Sequence, residues 1–589
     1  MFNLIKNTFN KNFSFLVILI IVIFCLYGKA INYELLFLDD SSLIESKINF
    51  VLDVKNLPKI FFLDCFYNNN TTYYRPILTL SVVLESLLFG YNPKVYHLTN
   101  ILLFILSIYL IYLFFLKLKF NRNIVCLTCL LFAVHPVLTS CCVWIAARND
   151  TLLLIFTMLI FFNLISYIES NKKINLILVS LFFMLSLLTK ETGMIFIFIC
   201  PLFIFLFDYK LSKNQIYNLI LFLLIPIIIY FILRSNSVSS INLKDYLQYS
   251  NFILDNIFFG VMIYINKVLY PIYVPIVLYE QSFNIHEIVI PIIFVIMLSI
   301  IYCRNIIKRK IFIFGLLMFL LYLLPTFAIG LNQILFHRLL IPSIGLLIIF
   351  INVIYKISNK YKILNKYFIF LWIFIFLFFS IASYLQADKY KDNNIFIVTG
   401  YTDAPKYGTF INAMAKIYIK YENYDKALYF LSKLDDISLD KSLVDVAVIL
   451  CKKNKFKEAE EILKESIEKN YNVELCYANL SMIYENDKNY DKALEYALKS
   501  YEINSYNIDV SLNLARMYRL NNKFEEAIDI YKKLLKFDKK NSEYYYSLGV
   551  LYNDIKDKNN AVKFLETACR LDPNNKISSK KLEEVKNII

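Results

Sequence analysis

Two adjacent carboxylates, Asp39 and Asp40, follow the first hydrophobic stretch of the chain, within the run Phe37-Leu38-Asp39-Asp40-Ser41-Ser42. Neighbouring carboxylates do not both ionise freely, so the pKa of one rises toward the range in which a carboxylate acts as a general base. Such a base takes the proton from a hydroxyl group as the hydroxyl oxygen attacks. A helix cap or a solvated loop is the alternative interpretation of an isolated acidic pair.

Further polar side chains lie near the ends of apolar stretches. An ionisable group inside a bilayer costs about 2.5–3.5 kcal/mol even on insertion scales, so such groups mark candidate sites. The candidates are Arg75, His97, Asn100, His135, Arg148, Asp150, Lys190, Glu191 and Arg338. Structural alternatives stay open: Arg148 and Lys190 as interfacial anchors, Glu191 as a neutralising partner of Lys190, and the two histidines as helix caps or cross-links. Their placement on one membrane face favours a site.

The elements that must position these residues are membrane helices. The chain has 589 residues, of which 58% are hydrophobic, and a mean hydropathy of +0.54, which is typical of a polytopic membrane protein. A span needs about 20 apolar residues, and the sequence predicts eleven, at 12–28, 95–116, 124–141, 152–168, 174–188, 192–207, 216–233, 288–302, 311–329, 339–355 and 368–384. Pro271 and Pro275 interrupt the apolar stretch 252–278, which predicts a re-entrant or broken hairpin.

Charge then predicts the orientation of the chain. Basic clusters follow alternate spans and should face the cytoplasm. This places the N-terminus inside and the candidate polar residues and the C-terminal part outside. A cleaved signal peptide is the alternative for the first apolar stretch and delivers the following loop to the same side. From Tyr401 onward, 31 Lys and Arg balance 30 Asp and Glu, which argues against a nucleic-acid surface.

The C-terminal part repeats itself. Small, aromatic and alanine positions recur at offsets of 32, 34, 34 and 34 residues, beginning with Ala415, Tyr418 and Ala427 and ending with Gly549, Tyr552 and Ala561. This period is that of tetratricopeptide repeats, which stack as pairs of helices. The predicted organisation is therefore all-α, with a membrane domain (1–386), a linker (387–407), five repeats forming an α-solenoid (408–575) and a capping helix (576–589). Such a solenoid offers a groove to a protein or peptide partner.

The runs FLDDSSLIES, YYRPILTLSVVLESLLFGYNPKVYHLTNILL, LLFAVHPVLTSCCVWIAARNDTLLL, LLTKETGMIF and HRLLIPSIG resemble the membrane domain of the transmembrane and tetratricopeptide-repeat-containing family. These proteins are relatives of the dolichyl-phosphate-mannose–protein O-mannosyltransferases, with a GT-C glycosyltransferase fold. The resemblance implies transfer of a sugar, a hexose such as mannose, from a polyprenyl-phosphate donor to an acceptor hydroxyl outside the cytoplasm, on Ser or Thr of a protein bound by the repeats. The family's acidic motif falls on Asp39 and Asp40.

In this interpretation Asp39 and Asp40 are catalytic, since a carboxylate activates the acceptor. The donor phosphate is contacted by a polar set comprising Arg75, His135, Arg148, Asp150, Lys190, Glu191 and Arg338, while Tyr74, His97 and Asn100 make structural or substrate contacts. A divalent metal at Asp39 and Asp40 is an open possibility, and the eleven cysteines show no metal-binding spacing. A bacterial plasma membrane is the expected location, or the endoplasmic reticulum in a eukaryote. The alternatives are a non-catalytic membrane scaffold and a polysaccharide ligase or polymerase with a glycan acceptor.

Overall fold

A computed structural model describes residues 2–44, 48–66, 73–238, 257–279, 285–327, 333–360 and 364–587. The chain forms two compact units. The first comprises Met1–Leu43 and Leu57–Pro405, and the second comprises Ile44–Asn56 and Lys406–Ile589. Parts of three predicted elements, at residues 252–256, 328–329 and 588–589, lie outside the described residues.

The first unit is built from helices, most of them apolar. Its α-helices are Phe2–Tyr27, Asp39–Leu43, Pro76–Phe89, Pro93–Lys117, Arg122–Ala133, Thr139–Val143, Arg148–Ser170, Lys173–Thr189, Phe196–Leu206, Lys213–Ser235, Ile257–Leu269, Ile285–Cys303, Arg309–Leu323, Pro342–Lys360, Leu364–Ala387 and Asn393–Asp403. Short 3-10 helices extend or join several of them, at Gly28–Asn32, Pro58–Phe62, Pro136–Leu138, Ile145–Ala147, Glu191–Ile195, Leu324–Thr326, Phe336–Leu339 and Asp388–Tyr390. An all-α membrane region is therefore confirmed.

Each predicted span falls on helical residues. Within the described ranges, eight helices are long and apolar enough to cross a membrane, judged by length and composition, and a ninth span exists if one bent pair crosses as a unit. Two apolar helices are shorter. Lys173–Thr189 has 17 residues, and Glu191–Leu206 has 11 α-helical residues, or 16 with its 3-10 turn. The number of eleven crossings stays a prediction.

Two stretches differ from the expected spans. The predicted span 124–141 is bent by 57° between Arg122–Ala133 and Pro136–Val143. Pro136 has no N–H group to continue the first helix, and the His135 side chain accepts a hydrogen bond from the Val137 amide, which caps the second helix. Pro76–Phe89 forms a helix that was not predicted as an element. It has 14 residues, about 21 Å at 1.5 Å per residue, which is short for a crossing.

The described part of the predicted re-entrant or broken hairpin, residues 257–278, contains one helix followed by extended chain. The helix Ile257–Leu269 ends before Pro271, and the chain continues in extended form to a two-residue strand, Leu278–Tyr279. This strand pairs antiparallel with Gln333–Ile334. The prolines explain the difference, since neither Pro271 nor Pro275 donates the backbone hydrogen bond that a returning helix requires.

The predicted linker 387–407 is largely ordered and belongs to the first unit as far as Pro405. The 3-10 turn Asp388–Tyr390 continues the helix Leu364–Ala387, and Asn393–Asp403 follows it. The Asp403 carboxylate accepts hydrogen bonds from the Ile276 amide (2.7 Å) and from the Tyr273 hydroxyl. These contacts fix residues 387–405 on the same unit as the membrane helices, so the predicted domain boundary at 386 is moved toward the C-terminus.

The second unit contains five helix pairs, as the period predicts. They are Gly408–Lys420 with Tyr424–Leu431, Leu443–Lys452 with Phe456–Glu468, Val473–Asn486 with Tyr490–Ile503, Ile508–Leu520 with Phe524–Phe537, and Ser542–Asp554 with Lys558–Leu571. The recurring alanines, such as Ala427 and Ala493, are fully buried between paired helices. Asp436–Asp440 joins the first two pairs, and Lys576–Asn587 follows the last pair. The predicted tetratricopeptide-repeat solenoid is confirmed.

One part of the second unit comes from far away in the sequence. Residues Ile44–Asn56, within the loop that carries Asp39 and Asp40, belong to the repeat unit. We call them the inserted segment. It contains the helix Ile48–Val51 and the 3-10 turn Val54–Asn56. The Phe50 ring lies edge-on to the Tyr506 ring, with 5.3 Å between centroids. No pattern in the sequence predicts this insertion.

Candidate functional site

Asp40 is held in place by the backbone. It lies in the short helix Asp39–Leu43 and is fully buried. One of its carboxylate oxygens accepts a hydrogen bond from the Leu36 amide (3.2 Å), and the other accepts one from the Ala146 amide (2.9 Å). Burial raises the pKa of Asp40 to about 7, against the lowering effect of these two amide donors. Asp40 thereby fixes the acidic helix to the turn that precedes Arg148–Ser170.

Asp39 occupies a different environment on the same helix. Its side chain is exposed, and the positive charges of Arg75 and Arg338 act on it. The protein around the carboxylate reduces its hydration and raises its pKa, although both arginines oppose this shift. The pair therefore divides into a buried carboxylate with fixed partners and an accessible carboxylate that faces cations.

Arg75 forms the centre of a group of charges next to Asp39. Its guanidinium contacts Glu191 at 3.3 Å and stacks over the Tyr73 ring, 4.7 Å from the centroid. Arg234 approaches the other oxygen of Glu191 at 3.7 Å. The Nε atom of Arg75 is buried and has no hydrogen-bond partner among the described residues. Arg75 and Arg234 thus share the Glu191 carboxylate, and the Nε–H group of Arg75 remains available as a hydrogen-bond donor.

Lys190 and Asp150 form a buried ion pair. The Lys190 ammonium contacts both carboxylate oxygens of Asp150, at 2.7 and 2.8 Å, and the side chains are 8% and 7% exposed. The His337 ring lies 3.8 Å from the same carboxylate. Burial lowers the pKa of His337 to about 3, so His337 is neutral at physiological pH and adds no charge. Lys190 therefore brings no unbalanced positive charge to the site.

Arg148 does not fit the predicted role of a donor-phosphate contact. Its side chain is completely buried. Four of its N–H groups are used by protein partners, at 2.6 to 3.1 Å: the side chains of Asn100, Ser81 and Glu85 and the carbonyl of Tyr96. A guanidinium group has five N–H groups, so little remains for a ligand. Arg148 joins three helices, so its contacts favour a structural role, and donor binding by this residue stays a prediction.

The histidines and Tyr74 are also placed in structural positions. The His135 ring contacts the carbonyl of Val268 at 3.0 Å and packs against Phe379, so it does not contact a carboxylate. His97 contacts the carbonyl of Glu34, and Asn100 donates to the carbonyl of Trp144. Tyr74 is buried and donates to the carbonyl of Phe61 at 2.9 Å. These contacts favour the structural alternative for all four residues, and a phosphate contact through His135 stays a prediction.

Arg338 is the remaining predicted cation. It is partly exposed, donates to the carbonyl of Thr326 at 3.4 Å, and forms no ion pair with a described residue. Together with the two arginines that share Glu191, it gives the region around Asp39 an excess of positive charge. Such an excess suits an anion whose charge grows during a reaction.

Sequence reasoning missed two charged residues of these networks. Arg234 ends the apolar helix Lys213–Ser235, where a basic residue is an ordinary membrane anchor, so its position alone carried no signal. Glu85 lies inside the run YRPILTLSVVLES, and its charge within an apolar segment was the available signal. Within the described ranges, no group of three or more His, Cys, Asp or Glu side chains is arranged to hold a metal ion.

Comparisons with known proteins match both units. A family model described as dolichyl-phosphate-mannose-protein mannosyltransferase matches residues 76–233, and tetratricopeptide-repeat models match residues 476–507, 515–555 and 542–575. The human protein O-mannosyl-transferase TMTC1 is 30% identical over 160 residues, which are 25% of this chain and 18% of that protein. The combination of a mannosyltransferase-like stretch with tetratricopeptide repeats is similar to that of the transmembrane and tetratricopeptide-repeat-containing family.

Other similarities concern the repeats or short stretches. The bovine BBSome complex member BBS4 is 30% identical over 135 residues, 23% of this chain and 26% of that protein. The matches thus span about a quarter or less of the length of these relatives. The solved structure of YrrB, a TPR protein with an unusual peptide-binding site, covers 32% of this chain at 15% identity, with a TM-score of 0.26. The apolar helices and the repeat matches together indicate a multi-pass membrane protein with a repeat unit.

Proposed function

We propose that this chain is a membrane glycosyltransferase that moves mannose from a polyprenyl-phosphate donor to a hydroxyl group of an acceptor protein, on Ser or Thr. The observation that carries the proposal is the division of the acidic pair. Asp40 is fixed by two backbone amides, while Asp39 is accessible and faces the cations Arg75 and Arg338. The match of residues 76–233 to a mannosyltransferase family supports it.

Asp39 acts as the general base in this proposal. As the acceptor oxygen forms its bond to the anomeric carbon of mannose, its proton passes to the Asp39 carboxylate. The bond between the anomeric carbon and the phosphate oxygen breaks, and the lipid phosphate leaves with both bonding electrons. Asp40 is a positioning residue, because its two oxygens already accept backbone hydrogen bonds and its side chain is inaccessible.

The leaving phosphate gains one negative charge, which the arginines stabilise. Arg338 has no carboxylate partner among the described residues, and Arg75 and Arg234 share Glu191. The unpaired Nε of Arg75 is a donor for a phosphate oxygen. Lys190 contributes by a different route, since its ion pair with Asp150 holds the turn before Glu191 in place. Loss of that turn would displace the carboxylate that orients Arg75.

The repeats bind the acceptor protein in this proposal, and the acidic pair lies on the extracytoplasmic side. The basic clusters that alternate along the spans support this orientation. The solenoid of five helix pairs provides an extended surface of the kind that other repeat proteins use for partners.

Sugar transfer in isolated membranes tests the proposal. Membranes carrying the wild type, Asp39→Asn or Asp40→Asn receive radiolabelled polyprenyl-phosphate mannose, and label is scored separately in protein and glycan fractions. Asp39→Asn should lower transfer into protein by about 10²–10⁴-fold, the usual contribution of a general base. Asp40→Asn should lower it by about 10²-fold, because an amide NH₂ cannot accept the second backbone hydrogen bond and the helix shifts.

Asp208→Asn is the matched control. Asp208 is an exposed carboxylate paired with Lys310, away from the acidic helix, and its substitution should leave transfer unchanged. The proposal fails if both acidic-pair variants transfer at the wild-type rate while being equally abundant. Label in glycan alone would support a polysaccharide ligase.

A membrane scaffold is the second candidate function. Its support is the similarity of part of the chain to BBS4, which is named as a member of a complex. A scaffold would show no use of the sugar donor by the wild type, and the Asn variants would retain its partners. The same membranes, solubilised and purified through the chain, distinguish the two functions by their bound proteins.

A further inference from the structure

A short stretch without regular secondary structure, residues 33–36, precedes the acidic pair. The Leu36 amide donates to one carboxylate oxygen of Asp40 at 3.2 Å, and the Leu36 carbonyl accepts a hydrogen bond from the Ser41 amide at 3.1 Å. Leu36 thus contacts the helix Asp39–Leu43 with both of its backbone groups. The position of this stretch therefore sets the position of the helix that follows it.

The Asn393 side chain holds the backbone directly before and after Leu36. Its Oδ1 atom accepts a hydrogen bond from the Phe37 amide at 2.6 Å, and its Nδ2 atom donates to the Leu35 carbonyl at 3.0 Å. One side-chain amide thus satisfies a backbone donor and a backbone acceptor at the same time. Leu35 and Leu36 are 3% and 0% exposed, so water has little access to replace these hydrogen bonds.

The helix Asn393–Asp403 also contacts the second segment that donates to the acidic pair. Phe396 is fully buried in this helix, and its ring lies 6.3 Å from the ring of Trp144. Trp144 comes two residues before Ala146, whose amide donates to the other carboxylate oxygen of Asp40. One helix thus packs against both segments that hold Asp40.

A second anchor holds the beginning of the stretch. The Asp388 carboxylate accepts hydrogen bonds from the Lys29 ammonium at 2.7 Å and from the Tyr33 hydroxyl at 3.0 Å. These contacts end three residues before Leu36, so they fix the start of the stretch. Asn393, by contrast, contacts the two residues that adjoin Leu36.

We infer that Asn393 is a positioning residue of the acidic pair, which acts through the backbone of residues 35–37. Its side-chain amide keeps the Leu36 amide directed at Asp40 and thereby keeps the acidic helix in place. Loss of that side-chain amide lets the helix move, and Asp39 then leaves the position from which it takes the proton of the acceptor. The catalytic part rests on the proposed function, while the effect on the acidic helix is measured without a substrate.

Amide hydrogen exchange of the full-length protein in detergent micelles tests the positioning role. Asn393→Ala removes both hydrogen bonds and should raise the exchange rate of the amides in 36–43 by about tenfold, since the acidic helix opens more often. Asn393→Asp keeps the acceptor for the Phe37 amide, but its carboxylate cannot donate to the Leu35 carbonyl, so the rise should be about threefold. Peptides from Arg148–Ser170 report whether the first unit remains folded.

Asn394→Ala is the matched control. It removes the same kind of side chain one position later in the same helix, where the side chain is exposed, and should leave exchange in 36–43 unchanged. The inference is overturned if Asn393→Ala speeds exchange in 36–43 no more than Asn394→Ala does. If Asn393→Ala unfolds the first unit, Asn393→Asp decides, and exchange at the wild-type rate in that variant overturns the inference.

Transfer kinetics supply the second readout. With polyprenyl-phosphate mannose as donor and a synthetic Ser/Thr peptide as acceptor, Asn393→Ala should lower kcat about tenfold and leave the KM for the peptide unchanged. Asn393→Asp should recover part of kcat. A rise in KM at constant kcat would overturn the catalytic part of the inference. Faster exchange in 36–43 in Asn393→Ala, when the wild type transfers no sugar, would retain the positioning of the helix and remove the proposed function.

Discussion

The Arg148 network makes the sharpest prediction about stability. Arg148 is 0% and Glu85 11% exposed, and their salt bridge is 2.9 Å long. Removing one partner of a buried ion pair leaves the other charge unpaired and costs about 3–5 kcal/mol. Arg148→Met keeps most of the side-chain volume, so the loss comes from the charge and the four hydrogen bonds. We expect the first unit to lose about 3–5 kcal/mol of stability.

The pair between Lys117 and Glu169 provides the matched control. It joins Pro93–Lys117 to the helix that carries Arg148, Arg148–Ser170, at 3.1 Å, but its side chains are 33% and 57% exposed. Exposed ion pairs contribute at most about 1 kcal/mol. Lys117→Met should therefore change stability far less than Arg148→Met, although it removes the same kind of charge.

Thiol labelling during denaturation follows the unfolding of the first unit, because Cys141 and Cys142 are fully buried there and react only when it opens. The double variant Arg148→Met with Glu85→Leu should recover part of the loss, since no unpaired buried charge remains. Equal costs for Arg148→Met and Lys117→Met would refute this reasoning. So would an Arg148→Met protein of normal stability that had lost affinity for the donor, as the original donor-binding prediction requires.

Two further predictions concern the acidic helix and a helix crossing. The pKa of Asp40, about 7, exceeds its unfolded value, so the folded chain holds a proton that the unfolded chain has lost between about pH 4 and pH 7. Stability should fall by roughly 4 kcal/mol as the pH rises through this window, and Asp40→Asn should abolish that slope in thiol-labelling measurements; an unchanged slope would contradict it. Gly345→Leu should destabilise the first unit by more than about 2 kcal/mol, because a Cβ atom at position 345 would lie 2.7 Å from the Phe319 amide nitrogen. Ile357→Leu, at an exposed position on the same helix, should not have this effect.

Hydropathy and the repeat period predicted the fold well, because both depend on residues that are close together in the sequence. The apolar spans follow from stretches of about 20 residues, and the repeats follow from alanines and tyrosines that pack within one helix pair. The helix Pro76–Phe89 was not predicted, because it is too short for a span at 14 residues and its apolar sequence is interrupted by the charged Glu85. Pro271 marked an interruption, but the strand pairing of Leu278 with Ile334 depends on a segment more than 50 residues away.

The site was predictable only as a set of candidates. Arg75 and Arg148 look alike in sequence, since both lie at the start of an apolar helix on the same predicted face. The structure separates them by their partners: Arg148 is enclosed by Asn100 and Glu85, while Arg75 keeps a free Nε among the described residues. These partners lie 48 and 63 residues from Arg148, so no local pattern could assign the two arginines their roles. The division of labour between Asp39 and Asp40 likewise depends on the Ala146 amide.

The inserted segment also has a consequence for biosynthesis. Phe50 leaves the ribosome about 450 residues before Tyr506, which at about 5–20 residues per second is a delay of roughly 20–90 s. During that time the acidic helix is already made, but the aromatic partner of its neighbouring segment does not exist. The contact between Phe50 and Tyr506 can form only after the third helix pair has been synthesised. A chain that stops before Tyr506 would therefore carry all the membrane helices but lack this contact.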